Sequence, residues 1–314
     1  MRHALRRGSI ILTTGALAAA LLSLLPVRAW PLEFLASFRV QIITVCFVSA
    51  GIAFLARLRL WGALGIVFAL VLAGFSLPPF VTAGHYGSRA EGEPLRILTL
   101  NLEWSNRDLD GVLGLIRRTN PDIVALQEVD WWWRRKLEVL AAEYPARIFD
   151  ESSPKPGVAV LAKGDPERVE WYSVCGRAFA SVLLRDGDRR LRLVNVHAYP
   201  PKTPYLYDLR NRQLDAVAGR VPHDAVPTIL AGDLNTTPWS TVLRDFERTT
   251  GLRSTRAGRG TIPTWPSWNM LFGVPIDHVY CSDRFVVDDV VRVAIPGSDH
   301  CGLMATLRLG GARG

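Results

Sequence analysis

The sequence predicts an α/β protein preceded by three membrane-crossing helices. Three observations lead there. Long apolar stretches at residues 10–27, 40–56 and 60–81 follow one another within roughly the first 83 residues. After them, short apolar runs of strand length alternate with stretches of helical spacing. Run after run of the strand type then stops in polar side chains: Asn101/Glu103, Glu128, His197, Asp233/Asn235, Asp277 and Asp299/His300. The boundaries that follow are a membrane anchor over residues 1–83, a linker over 84–94 and a folded domain over 95–310.

Each apolar stretch is about long enough to span ~30 Å of hydrocarbon as a helix. None carries a charge before its flanks, except for the Arg57-Leu58-Arg59 connector between the second and third. A helix on a soluble surface would show polar residues every third or fourth position. Buried core helices are the competing reading. Arg2, His3, Arg6 and Arg7 precede the first span, and Arg57 and Arg59 lie between the second and third. The positive-inside rule puts both groups in the cytoplasm, although Arg28 and Arg39 in the first loop weaken the asymmetry. Three spans then leave everything after Val81 outside. The first span also reads as a signal peptide, with a poor cleavage site at Leu25-Pro26-Val27-Arg28-Ala29; its removal would leave the same orientation. Pro78 and Pro79 end the third span.

Composition narrows the function. Hydrophobic residues make up 49% of the 314, with a mean hydropathy of +0.15, and the excess lies near the N-terminus. The net charge of +8 and pI of about 9.7 suit an anionic partner such as nucleic acid, lipid headgroups or phosphate esters, or else reflect membrane-flanking and solvated bases. Cys46, Cys175, Cys281 and Cys301 show no CxxC or other metal spacing, and a Cys281–Cys301 bridge stays open for a domain outside the cytoplasm.

In the folded domain, residues 95–103 alternate and place Asn101 and Glu103 two apart on one strand face. Residues 108–119 have helical spacing, closed by Asn120-Pro121-Asp122. Residues 123–128 form a short buried strand ending in Glu128, a carboxylate that is costly there unless paired or bound to a cation. Trp131-Trp132-Trp133, followed by Arg134, Arg135 and Lys136, suits a membrane interface or a ligand lip, or else the partly packed start of a helix. Residues 157–161 are a strand. Residues 180–184 and 191–197 pair through a turn at 185–190, ending in Asn195-Val196-His197. Residues 207–221 read as a helix that exposes Arg210 and Arg212. The apolar run 228–231 stops in Gly232-Asp233-Leu234-Asn235, and residues 236–240 lead into a helix. A loop rich in Pro and Trp at 261–268 precedes a strand that begins at Asp277. His278 alternates to the opposite face and reads as structural. Residues 285–294 are β-rich, and Gly297-Ser298-Asp299-His300 precedes a last strand at 303–309.

Together these motifs resemble the endonuclease/exonuclease/phosphatase superfamily, which includes DNase I, abasic-site endonucleases, sphingomyelinases and inositol-phosphate phosphatases. The resemblance rests on Leu100-Asn101-Leu102-Glu103, Leu126-Gln127-Glu128, Asn195-Val196-His197, Gly232-Asp233-Leu234-Asn235, Ile276-Asp277-His278 and Ser298-Asp299-His300, in that order. It implies a four-layer α/β sandwich (DNase I-like) of two packed mixed β-sheets. The three spans and the Pro-Thr-Trp-Pro loop resemble a membrane-anchored bacterial branch that includes a teicoplanin-resistance protein. The resemblance also implies roles. Glu128 is the principal Mg²⁺ (or Mn²⁺) ligand, with Asn101, Glu103 and Asp299 near the metal, a hard-oxygen set. His300 is the general base, oriented by Asp277. Asp233 aligns the attacking water or protonates the leaving group, and His197 and Asn235 hold phosphate oxygens.

The substrate is not fixed by these motifs. The favoured expectation is a metal-dependent phosphohydrolase on the outer side of the cell membrane, acting by in-line water attack on a lipid-linked phosphate or diphosphate, with Arg210 or Arg212 pairing an extra phosphate. A surface-tethered nuclease, a phospholipid-headgroup phosphodiesterase and an inactive binding domain are the alternatives. No dense Lys/Arg stripe interleaved with aromatics supports the nuclease.

Overall fold

The computed structural model describes residues 2–77, 92–151 and 155–310. Most of the expected linker lies outside them. The chain divides into two compact units, residues 1–82 with 237–244, and residues 83–236 with 245–314.

The first unit contains α1 (Arg2–Ser23), α2 (Trp30–Ser37), α3 (Arg39–Leu55) and α4 (Arg59–Ser76). Small residues face inward here and large ones face outward. Ala20, Ala50, Ala53 and Ala69 are buried, while Leu55 and Phe75 are 83% and 70% exposed. A Cβ on Gly65 would lie 2.9 Å from the Ala50 side chain, so α3 and α4 approach closely through small residues. This inversion of soluble-protein packing is what a lipid surround favours. By length and composition, α1 and α4 can each cross a membrane. The expected second span matches α3, but α2 joins it through a 70° bend, and the two make at most one further span. The expected third span stops early, at Ser76, and residues 78–81 lie outside the described residues. Within this unit Trp239 Nε1 donates to Ser76 O at 3.0 Å, and Ser240 Oγ donates to Glu33 at 2.9 Å.

The second unit contains the strands β1 (Leu95–Asn101), β2 (Ile123–Val129), β3 (Ala146–Phe149), β4 (Gly157–Ala162), β5 (Asp165–Val174), β6 (Arg177–Asp186), β7 (Arg189–His197), β8 (Thr228–Asp233), β9 (Arg253–Ser254), β10 (Asp277–Cys281), β11 (Phe285–Ala294) and β12 (Cys301–Leu309). They form two six-stranded mixed sheets, ordered β11-β12-β1-β2-β4-β3 and β5-β6-β7-β8-β10-β9. Strand alternation sorts the side chains. Ile97, Ile123, Val160, Val182, Ile229 and Leu303 fill the layer between the sheets. Leu98, Leu100, Val124 and Leu126 point the other way, onto α5 (Leu109–Thr119) and α6 (Trp131–Leu137). Asp108 caps α5 by accepting from Gly111 N, and Asp130 caps α6 by accepting from Trp133 N. Trp133 is buried, so the three-tryptophan segment is a helix start. On the second sheet, α7 (Pro204–Ala218) buries Leu214 and Val217. The architecture is the four-layer DNase I-like α/β sandwich. The strands β3, β5 and β9 had no expectation behind them. All four cysteines are free, so Cys281 and Cys301 are not bridged.

Candidate active site

Strand register brings the polar strand ends together. In the first sheet, parallel β1 and β2 set Asn101 opposite Gln127. In the second, parallel β7 and β8 set His197 opposite Asp233, and antiparallel β10 sets Asp277 opposite Asp233 as well. Three site residues are therefore neighbours across three adjacent strands. Gly232 permits this. Its φ is +138°, and a Cβ there would lie 2.0 Å from Val196 O, so no other residue lets β7 and β8 approach this way.

Beneath the site a buried polar bridge ties the two sheets. Gln127 Nε2 donates to Asn195 Oδ1 at 2.8 Å, and Asn195 Nδ2 donates to Leu126 O and Ala159 O. Above it lies a continuous hydrogen-bond network. Asn101 Nδ2 donates to Glu128 Oε1 at 3.3 Å and to Asp233 Oδ2 at 3.1 Å. Asn235 donates to both oxygens of Asp233, from its backbone N at 2.8 Å and its Nδ2 at 2.9 Å. Trp104 N donates to Glu128 Oε2 at 2.9 Å. The backbone is forced to aim these groups: Glu103, Glu128 and Asn235 all have positive φ, near 58°, 59° and 48°. Glu128 also sits where the β2–β4 register shifts, so a bulge turns its side chain out of the strand.

Two histidines flank Asp233, each with Nε2 3.9 Å from Asp233 Oδ2. Their charges differ. The His300 ring donates from Nδ1 to Asp277 Oδ2 at 2.9 Å. Burial opposes its charge, but Asp277, Asp233 and Asp299 outweigh burial and the ring is pushed up to about 10. His197 accepts at Nε2 from Arg177, since arginine can only donate, so its proton sits on Nδ1. Burial first, then Arg177 and His300, holds this ring well below the ordinary histidine range. Burial and the neighbouring Asp277 push the Asp233 carboxyl up to about 7. One imidazole is thus held neutral and the other cationic around a carboxyl whose proton affinity is raised.

Glu128, Glu103 and Asp299 give a hard-oxygen donor set. Among the described residues, no Lys or Arg pairs with any of them; the titratable bases near Glu128 and Asp299 are histidines, His197 at 3.6 Å and His300 at 3.9 Å. Carboxylates without a basic partner are the residue type that a divalent cation takes, although no distance joins these three to one another. Asn101 presents its amide nitrogen to Glu128, and its Oδ1 accepts from Glu103 N, so it braces the carboxylates. Asp233, Asp277 and His300 also offer donor atoms within 4.8 Å of one another. There His300 Nδ1 is already occupied by its bond to Asp277, which leaves Nε2 as the free ring nitrogen.

Arg210 does not match its expectation. It is 1% exposed, stacks over Tyr207 and donates to Asn235 O at 3.0 Å. Its guanidinium supports the Asn235 backbone and does not face solvent; Arg212, two positions on, is exposed. Three contributors had no signal or a partial one. Arg177 carried none. Trp265, in the Pro/Trp loop, donates from Nε1 to Asp299 Oδ2 at 2.9 Å. Ser298, inside a quoted motif, donates to Asn101 O at 2.8 Å and accepts from His300 N, joining β1 to the last site loop. His278 is structural, as alternation predicts: it accepts from buried Arg256 at Nδ1 and donates to Thr236 O.

The family model for the Endonuclease/Exonuclease/phosphatase family matches residues 98–300, which contain every residue of this network. The chain belongs to that family. A UPF0294 protein of Klebsiella pneumoniae (strain 342) is 26% identical over 255 residues, spanning 73% of this chain and 89% of its own length. Among solved structures, an endonuclease/exonuclease/phosphatase from Beutenbergia cavernae is 21% identical with a TM-score of 0.57, covering 70% of this chain and 73% of its own. The 3′ phosphatase NExo from Neisseria, bound to a product DNA hairpin, is 20% identical with a TM-score of 0.54, covering 67% and 98%. These similarities establish a phosphoesterase fold of this family.

Proposed function

We propose that the protein is a membrane-anchored, divalent-metal-dependent phosphohydrolase that acts outside the cytoplasm on a lipid-linked phosphate or diphosphate of the cell envelope. In this reading residues 1–83 anchor, 84–94 link and 95–310 catalyse. The observation that carries it is the convergence of Glu128, His197, Asp233, Asn235 and the His300–Asp277 pair in a chain that also holds two or three helices apolar enough to cross a membrane. The resemblance to the membrane-anchored branch supports an envelope lipid.

Glu128 is the principal metal ligand, with Glu103 and Asp299 near the metal and Asn101 bracing Glu128. A Mg²⁺ ion held there would supply Lewis-acid polarisation of a phosphoryl oxygen. In its neutral form His300, oriented by Asp277, takes the proton of the attacking water. Asp233 aligns the water or returns a proton to the leaving oxygen, for which a carboxyl pushed up to about 7 is suited. The resemblance assigns Asn235 and His197 to the phosphoryl oxygens as charge develops; for His197 that role requires the proton to move to Nε2, the nitrogen that now accepts from Arg177.

The test is phosphate release by the full-length protein in detergent with Mg²⁺, using undecaprenyl diphosphate and plasmid DNA in parallel and His300→Ala as control. Orthophosphate from the lipid that disappears in the control is the expected result. Nicked plasmid with intact lipid would replace this reading with a tethered nuclease. The nuclease is the second reading because two structural neighbours, the Neisseria phosphatase and a D. rerio TDP2, were solved with DNA products.

A further inference from the structure

The geometry points to a lipid-docking tip at residues 268–272, an apolar loop fastened to the candidate active site that seats in the headgroup boundary of an anionic bilayer. This inference rests on the membrane-anchored part of the proposed function and adds a second, peripheral contact with the same membrane.

Three large apolar side chains are exposed within five residues: Trp268 at 77%, Leu271 at 73% and Phe272 at 56%. Elsewhere in the second unit, among the described residues, large apolar side chains are exposed one at a time, as at Trp104, Tyr205 and Val291. Such single groups are ordinary on a water-facing surface. Clusters as dense as the tip recur only on the apolar helices, as at Val45, Phe47 and Val48 of α3 and at Val67, Leu70 and Val71 of α4. The tip therefore has the surface of a segment that another apolar body covers.

The loop is built to hold these groups out. Its arms pair through Trp265 and Val274: Val274 N donates to Trp265 O at 2.7 Å, and Trp265 N donates to Val274 O at 3.1 Å. Gly273 N donates to Met270 O at 3.1 Å and Leu271 N to Asn269 Oδ1 at 3.2 Å, which closes the tip in turns of its own. The base is fastened to site residues. Thr264 Oγ1 accepts from Asp277 N at 3.2 Å, and Trp265 Nε1 donates to Asp299 Oδ2 at 2.9 Å. Ser267 donates from N to Asp299 O at 2.7 Å and from Oγ to Ser298 O at 2.9 Å. Whatever seats the tip thus also sets the height of Asp277 and Asp299 above it.

Two observations select a bilayer as the occupant. The same chain carries two or three helices apolar enough to cross one, so a lipid surface is at high local concentration around the tip. The tip also has a cationic collar. Arg292 on β11 is exposed, donates to Pro263 O at 3.4 Å and touches Met270 Sδ, and among the described residues it pairs with no carboxylate. An aromatic and aliphatic tip beside a guanidinium matches the headgroup boundary, where indole rings settle and anionic headgroups attract bases.

The test reads depth and is independent of turnover. Full-length protein in vesicles of phosphatidylcholine and phosphatidylglycerol carries an environment-sensitive fluorophore at Leu271→Cys. A comparison label sits at Asp188→Cys, in the exposed turn between β6 and β7, and unsubstituted protein treated alike gives the background from half-buried Cys175. Flotation checks that each sample is in the vesicles. Doxyl groups carried on the acyl chains near the headgroup should remove about half or more of the Leu271→Cys emission, as for a segment seated ~5–10 Å into the boundary, and little of the Asp188→Cys emission. Trp268→Ser combined with Phe272→Ser should lose most of that quenching, Arg292→Gln should reduce its gain from phosphatidylglycerol, and the thermal midpoint of each variant checks folding. Protein that floats with Leu271→Cys no more quenched than Asp188→Cys overturns the tip. So does a label shielded from water without doxyl quenching, which would give this surface to a second copy of the chain or to another protein. A chain that does not float overturns the anchored reading and the tip with it. Quenching at Leu271→Cys without hydrolysis of a lipid substrate would instead fault the substrate and leave the docking tip standing.

Discussion

Replacing Asn195 by Leu should be among the most damaging single changes in the second unit, although Asn195 touches no expected substrate. The substitution keeps the branched side-chain skeleton, adds the bulk of two methyl groups, and removes three buried hydrogen bonds, to Gln127, Leu126 O and Ala159 O, at 2.8, 3.0 and 2.8 Å. At about 1 ± 0.5 kcal/mol net for each bond, with an added penalty for donors and acceptors left dry, the loss is about 3–5 kcal/mol. That is a large share of a typical total of about 5–15 kcal/mol. Urea unfolding followed by tryptophan fluorescence would read it as a midpoint lower by about 1 M or more, for a slope of about 3 kcal/mol/M. A cycle with Gln127→Leu makes the test specific. If the two amides are one bridge, the double variant is less damaged than the sum by about 0.5–3 kcal/mol, because both stranded partners vanish together. A drop below about 0.3 M for Asn195→Leu, or strictly additive losses, would refute the claim that the sheets are tied at this point.

Other outcomes follow from the same geometry. Gly232→Ala places a Cβ 2.0 Å from Val196 O and should cost at least about 3 kcal/mol, seen as a lowered thermal midpoint together with lost phosphate release. EDTA should abolish hydrolysis with restoration by Mg²⁺, and Glu128→Gln should raise the Mg²⁺ concentration needed for half-maximal rate, with folding intact by circular dichroism. His278 is held neutral by burial and by Arg256, well below its ordinary range. As pH falls below about 6.5 the unfolded chain gains a proton that the folded one refuses, so this group removes stability by up to about 1.4 kcal/mol per pH unit. Because His197, Asp233 and His300 are shifted over the same range, the reading is a difference: between pH 7.5 and 5.5 the wild type should lose stability relative to His278→Gln with that slope.

Much of this was legible in the sequence because strands end where their apolar runs end. Asn101, Glu128, His197, Asp233, Asp277 and His300 could be found one strand at a time, since each needs only local alternation to be placed at a tip. The sheets' order, and with it the direct apposition of His197, Asp233 and Asp277, could not, because register is a non-local property. Arg210 misled for a related reason: its helix is amphipathic, but the side facing Asn235 wants a donor for a backbone carbonyl, and hydrophobic periodicity has no sign for that. Arg177 was invisible because a turn of Cys-Gly looks like the end of a strand and says nothing about what lies across from it. Helix α2 was hidden by its Pro and Glu, which lower the apolar average without preventing a helix that begins with Pro at its first turn.

The left-handed backbone at Glu103, Glu128 and Asn235 carries a consequence for anyone evolving this protein in the laboratory. Each such residue stores about 1–3 kcal/mol of conformational strain that glycine would relieve. A screen that rewards heat resistance alone would therefore drift toward glycine at these very positions, harvesting sturdier molecules with the acidic cluster erased. Thermostability and turnover are opposed here at the level of three φ angles, and a selection that preserves one must be made to see the other.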